Sequence, residues 1–317
     1  MSGVSASTAT ATTATADPAA AVTGRFAPSP TGPLHLGSLL AALASCLDAR
    51  SRAGRWLLRI DDLDAPRCLP GMADSHQRVL EALGFEWDAP PVYQSARLAR
   101  YREALAQLQS MGLAYRCSCS RRQLANGREG AAYPGTCRER ALPNDNPGGT
   151  ALRYRYDREP VGPFDDLWQG HCLPDAGDQG DPVVERRDGL PAYQLAVVLD
   201  DFDCNITQVV RGADLLSSTF WQRSLQQALG LPEPRYGHIP LLMEPDGSKL
   251  AKSRHSLPLD ASQAGLLLCQ ALSLLRQDPP AELTRATIAQ IWRWALTHWK
   301  VDALAGHSTL ALPGALY

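Results

Sequence analysis

The chain of 317 residues carries 31 Lys and Arg against 33 Asp and Glu, a formal net charge of -2, with 44% hydrophobic and 20% charged residues. This balance is that of an ordinary globular protein, and it excludes a binder that holds nucleic acid by bulk positive charge; a local basic stripe remains compatible with it. No apolar run approaches the roughly 20 residues needed to span a bilayer, and the length predicts about two domains.

Residues 1–23 are mostly Ala, Thr and Ser without Lys or Arg. They fit neither a secretory signal nor an Arg-rich transit peptide and read as a disordered leader. GRFAPSP over 24–30 begins as a strand and breaks at Pro28 and Pro30, and Thr31-Gly32-Pro33 is turn chemistry. Leu36, Leu39, Leu40, Leu43 and Leu47 then fall on one face of a helix. RWLLRI over 55–60 is a second buried strand, running into DDLD. A strand, a Gly/Pro turn, a helix and a strand make a βαβ unit, so the expected class is α/β with a doubly wound sheet.

Amphipathic helices are predicted over 73–84 and 95–112. From 113 the composition changes to clustered cysteines, many arginines and LPNDNPGG. Residues 113–190 are therefore expected to be an insertion, with HCLPDAGDQGDP (171–182) an exposed loop. Regular structure returns with AYQLAVVLDD and NITQVVRG, a helix over 217–229, a strand in RYGHIPLLM and the loop EPDGSKLAKS. The tail from 261 reads as helical, with Trp292 and Trp299, seven apart, packing from one helix face. The expected organisation is a leader (1–23), a split nucleotide-binding domain (24–112 and 191–260), an inserted domain (113–190) and a C-terminal helical module (261–317). Of the eight cysteines only Cys117, Cys119 and Cys137 cluster; scattered thiols suit a reducing cytosol.

Three motifs carry chemistry. In His35-Leu36-Gly37-Ser38 a histidine, a glycine and a serine stand at a helix start, where unpaired N–H groups and positive partial charge suit a polyphosphate. Gly37 would let a nucleoside approach the backbone, and His35 would meet phosphate oxygens as charge develops. Alone, this tetrapeptide is also compatible with a packed turn. Lys249 and Lys252, three apart in DGSKLAKS, can close over phosphates, or form a solvated basic loop. Cys117-x-Cys119 with Cys137 gives three thiols suited to zinc, or three free cysteines in a loop.

HLGS and KLAKS together resemble the HIGH and KMSKS signatures of class I aminoacyl-tRNA synthetases. GRFAPSPTGPLHLGS and RIDDLD further resemble the glutamyl branch. The likeness runs from about Arg25 to Arg254. Leu250 and Ala251 depart from the second signature, but both lysines are kept. The resemblance implies a Rossmann-type nucleotide-binding domain with an inserted zinc-containing domain and a small C-terminal helical module. It implies activation of glutamate by ATP with Mg²⁺, with His35, Gly37 and Lys252 at the nucleotide.

Glutamate offers two carboxylates and one ammonium, so its pocket should supply cations and an anion. By resemblance Arg25 and Arg211 face carboxylates, Ser29 and Tyr193 add hydrogen bonds, and Phe26, Ala27 and Pro28 complete the binding stretch. Asp61 would receive the α-ammonium where the family has Glu; being one methylene shorter, it requires a deeper amine or a bridging water. The family's YxxxC pattern makes Tyr133 the candidate fourth ligand of a structural zinc, with water as the alternative. Arg116, Arg121, Arg122, Arg138 and Arg140 would then meet RNA phosphates.

Residues 254–317 are too few for an anticodon-binding region. With the CxC…YxxxC pattern, this makes the chain look like the glutamyl-queuosine tRNA(Asp) synthetase family. That resemblance implies tRNA-independent formation of glutamyl-AMP and transfer of glutamate to queuosine in the anticodon loop of tRNA(Asp), by a cytoplasmic monomer. A minimal enzyme charging the 3′ end of tRNA(Glu) and a non-catalytic zinc-dependent RNA-binding paralogue are the alternatives.

Overall fold

The computed structural model describes residues 21–120, 123, 133–140, 142–143, 149–174, 180–243 and 257–311. Thr23–Phe26 (β1) leads through the Pro/Gly turn into the helix Leu36–Ser51 (α1), and the chain returns as Arg55–Ile60 (β2), parallel to β1 with Thr23 opposite Arg55. This is the βαβ unit read from the sequence. From Leu39 to Ala49, α1 is buried on nearly every face, because it lies between the parallel strands and the C-terminal helices.

The helix Met72–Ala82 (α2) precedes a short strand, Val92–Tyr93 (β3), parallel to the end of β2. After Leu98–Ser110 (α3) the pairing changes hand. Ala114–Cys117 (β4), Ala151–Tyr154 (β5) and Val183–Glu185 (β8, below) form an antiparallel sheet in the order β4-β5-β8. Phe164–Asp166 (β6) and Gly170–Cys172 (β7) form a hairpin. Leu152, Tyr154 and Val184 pack with Tyr101, Leu105 and Leu108 of α3 and with Leu195 to Leu199 of the next helix, Tyr193–Asp203 (α4).

Gln208–Gly212 (β9), the helix Ser218–Leu229 (α5) and Arg235–Ile239 (β10) form the second parallel unit, with Arg211 opposite His238. It joins the first where Thr207 N–H donates to Thr23 O at 3.0 Å and Thr23 N–H to Thr207 Oγ1 at 2.9 Å. The lateral sequence is thus β3-β2-β1 followed by β9-β10. Segments some 180 residues apart bring their carboxyl ends to one edge, which is where open α/β sheets bind ligands.

The tail packs Ala264–Leu274 (α6) and Ile288–His298 (α7) against α1, and Leu241–Met243 (β11) pairs in parallel with Thr309–Ala311 (β12). Trp292 meets Phe85 edge-on with ring centroids 4.9 Å apart, and its indole N–H donates to Leu83 O at 2.8 Å.

Two expectations from the sequence fail here. Helix α7 stops at His298, so Trp299, its C-cap with an extended ψ of 115°, packs against the same core as Trp292 but from the helix end rather than from a shared helix face. The stretch 171–182 is not simply an exposed loop. His171 and Cys172 pair with Asp165 and Phe164, and Asp181 is only 1% exposed. Its carboxylate takes Arg138 Nε at 2.6 Å and Nη2 at 2.9 Å, the Tyr115 hydroxyl and the Tyr156 N–H. That acid is buried because it closes a polar network, which its Gly- and Asp-rich neighbours conceal. The second lysine motif, including Lys249 and Lys252, and the arginines Arg121 and Arg122 lie outside the described residues. Among the described residues no helix is long and apolar enough to cross a membrane.

Candidate active site

At the carboxyl edge of the parallel strands stands a buried cluster of opposite charges. Arg25, on β1, donates from Nε to Asp201 Oδ1 at 3.1 Å, from Nη2 to Oδ2 at 3.4 Å and from Nη1 to Val210 O at 3.1 Å. Arg59, on β2, donates to the same Asp201 Oδ1 at 2.6 Å and to Asp61 at 2.6 and 3.4 Å. Burial pushes both carboxylates up. Asp201, beside two guanidinium groups, still ends below the usual carboxylate range. Asp61, with Arg59 alone and Asp200 and Asp201 nearby, ends above it. Asp201 comes from the DD of α4. A pair of acids at a helix end carries no local mark of its partners.

Arg211, on β9, is 5% exposed. Its Nε donates to His238 Nε2 at 3.1 Å and its Nη2 to Thr219 Oγ1 at 2.8 Å, while Nη1 is buried without an acceptor among the described residues. A buried guanidinium nitrogen lacking a partner is costly, and an anion would relieve that cost. Tyr193 opens α4 and is half buried.

The nucleotide motif sits where it was expected, at the start of α1. His35 is the N-cap, its Nδ1 accepting from Ser38 N–H at 3.3 Å. A Cβ on Gly37 would lie 3.1 Å from the His35 ring, so a side chain there would crowd the imidazole that folds over its own helix end. In the preceding turn Pro28 O accepts from Asp61 N–H at 3.0 Å and Ser29 O from Thr31 N–H at 2.8 Å, tying the stretch after Phe26 to the end of β2. Ala27 is half buried, Pro28 buried and Ser29 exposed.

The three cysteines converge. The sulfurs of Cys117, Cys119 and Cys137 all lie within 4.8 Å of one another, an arrangement that could hold a metal ion. The Tyr133 oxygen lies 3.4 Å from Cys117 Sγ and 4.0 Å from Cys119 Sγ and accepts the Cys137 N–H at 2.8 Å. The Arg153 guanidinium lies 3.8 Å over its ring. Burial raises the Cys137 thiol, but hydrogen bonds from the Ser118 backbone, Tyr133 and the two other thiols outweigh it and bring Cys137 down to about 6. Burial and its thiol neighbours push Cys119 up to about 11.

Residues 21–265 match the family model "tRNA synthetases class I (E and Q), catalytic domain". Over 291 residues the chain is 52% identical to a glutamyl-Q tRNA(Asp) synthetase of Ectopseudomonas mendocina, covering 91% of this chain and 96% of that protein. The chain belongs to this family of class I synthetases. A second family member, from Aromatoleum aromaticum, is 46% identical over 94% of the synthetase described here and 95% of its own length. The fold is also that of a glutamate tRNA ligase from Elizabethkingia meningosepticum, solved in complex with its amino acid. That structure is 24% identical with a TM-score of 0.73, covering 92% of this synthetase and 67% of the ligase.

Proposed function

We propose that this synthetase activates L-glutamate with ATP and Mg²⁺ and transfers it to queuosine in the anticodon loop of tRNA(Asp), a reading supported by its relatives' name, glutamyl-Q tRNA(Asp) synthetase. The observation that carries the reading is the buried, unsatisfied Nη1 of Arg211, on a strand neighbouring the one that bears Arg25, at the carboxyl edge of the parallel strands. Both arginines can serve carboxylates, Arg211 through Nη1 alone because its Nε and Nη2 are already bonded within the protein. Arg25 has two N–H groups beyond its three bonded ones. Tyr193 and Ser29 add hydroxyls, and an α-ammonium would share the Asp61 carboxylate with Arg59. The start of α1, with His35, Gly37 and Ser38, receives the nucleotide, and Lys249 and Lys252 stabilise the departing pyrophosphate.

The glutamate α-carboxylate oxygen attacks the α-phosphorus in line, forming the acyl-phosphate bond as the bond to pyrophosphate breaks. A queuosine hydroxyl then attacks the acyl carbon, and AMP leaves. Positioning and charge stabilisation suffice, without a covalent enzyme intermediate. Three sulfurs and a phenol oxygen form a soft, compact donor set that fits zinc, with Cys117, Cys119, Cys137 and Tyr133 as ligands in a structural role. The domain division 24–112 with 191–260, around 113–190, assigns nucleotide chemistry to the parallel strands and RNA contact to the inserted segment, where Arg138 and Arg116 are already bound by Asp181 and Glu185.

Transfer of labelled glutamate to queuosine-containing tRNA(Asp), absent when queuosine is absent, is the expected result. Label on tRNA(Glu) instead would overturn the acceptor assignment and leave glutamate activation standing.

A further inference from the structure

Arg211 is gripped from behind by two fully buried groups. Asp166, at the end of β6, accepts three backbone N–H groups on Oδ1, from Trp168, Gln169 and His238, each at 3.0 Å. Its Oδ2 lies 2.6 Å from His238 Nδ1. An ionised carboxylate only accepts, so His238 must carry its proton on Nδ1. Nε2 is then a lone pair, and it faces the Nε–H of Arg211 at 3.1 Å and the Thr219 hydroxyl at 3.2 Å. A second anchor holds the strand itself: Gln169 Nε2 donates to His238 O at 2.9 Å. The arrangement resembles the orienting half of an acid–histidine pair, in which the carboxylate fixes the tautomer that its partner needs. Here the beneficiary is an arginine, so no proton is transferred.

We infer that Asp166 and His238 are positioning residues for the amino-acid substrate: they fix Arg211 by its Nε and leave Nη1 as the nitrogen for the substrate carboxylate. This rests on the reading of Arg211 as a carboxylate ligand. The hairpin β6–β7 lies outside the parallel strands, so this part of the intervening chain contributes to glutamate affinity without touching glutamate.

Asp166→Asn tests this in the full-length synthetase. The remaining Oδ1 can still accept all three backbone N–H groups, so the hairpin stays anchored. The new amide presents N–H to His238 Nδ1, which forces the proton to Nε2 and sets donor against donor at Arg211. The expected result in glutamate-dependent ATP–pyrophosphate exchange is a roughly ten- to hundred-fold rise in KM for glutamate. KM for ATP should stay near wild type, and Asp166→Asn should add little in an Arg211→Ala background.

A raised glutamate KM in Arg211→Ala with a wild-type value in Asp166→Asn would overturn the positioning role and leave the Arg211 reading intact. A wild-type glutamate KM in Arg211→Ala would overturn both. Should Asp166→Asn not fold, His238→Gln and His238→Leu decide. Gln keeps an acceptor for Arg211, so its KM should stay well below that of Leu, and equal values sink the proposal. Imidazole ¹⁵N shifts of the wild type should report the Nδ1–H form at His238, and the Nε2–H form would contradict it.

Discussion

Arg25 and Asp201, 176 residues apart in the chain, form a buried ion pair at 3.1 Å that fastens the helix Tyr193–Asp203 to the first strand. The same Asp201 oxygen holds Arg59 at 2.6 Å, so one carboxylate sets two cations at the carboxyl edge of the parallel strands. Asp201→Asn would leave both guanidinium groups buried with too little negative charge. Loss of about 3–5 kcal/mol of stability is expected, read as a lower urea midpoint. A rise in glutamate KM should accompany it, because Arg25 is freed from its bidentate hold.

Lys252→Ala should abolish exchange of pyrophosphate into ATP, by about a hundred-fold or more, while far-UV circular dichroism and the melting temperature remain those of the wild type. Exchange at the wild-type rate would remove the second lysine motif from the mechanism.

Metal analysis should find one zinc per chain, absent in Cys117→Ser and Cys137→Ser. Tyr133→Phe should retain zinc but release it faster to a chelator. Because the site ties β4 to the Tyr133–Cys137 turn, stripping the metal should lower the melting temperature. Full thermal stability in the metal-free protein would deny the ion its structural role.

His238 has its pKa lowered, by burial first and then by the Arg211 charge, against the opposing pull of Asp166. In the unfolded chain a histidine takes up its proton near pH 6.5. Below that pH the unfolded state therefore binds a proton that folded His238 does not, and this group's contribution to stability falls as pH falls toward the folded value. The stability difference between wild type and His238→Gln should accordingly shift against the wild type between pH 7.5 and 5.5, by up to about 1.4 kcal/mol per unit. A pH-independent difference would show that His238 titrates in the fold as it does in the unfolded chain, and a shift in favour of the wild type as pH falls would show that it is protonated in the fold.

Gly84, with φ of 80°, sits beneath the C-terminal helix. A Cβ there would lie 2.6 Å from Ile288 Cγ2 and 2.7 Å from Trp292 Nε1. Gly84→Ala should cost about 1–3 kcal/mol through overpacking and backbone strain, with Trp292 fluorescence shifting to the red as the helix lifts.

The sequence by itself determined the features that depend on near neighbours. Turn residues and helical periodicity placed His35, Gly37 and Ser38 at the start of α1, and Cys-x-Cys spacing pointed to a thiol cluster. Only the tertiary structure decided the partners of the charged groups. Asp201 meets Arg25 and Arg59, Asp166 meets His238, and Asp181 closes a network around Arg138 and Tyr115. Each of these acids lies in a stretch that reads as a helix end, a short hairpin or a polar loop, and nothing nearby in the chain marks it as buried. The Asp201 pairings arise because parallel strands from distant segments must place their carboxyl ends side by side, and all three acids keep their partners because burial makes an unpaired charge too costly. Periodicity also stopped short at Trp299, since a seven-residue spacing cannot say where the helix ends.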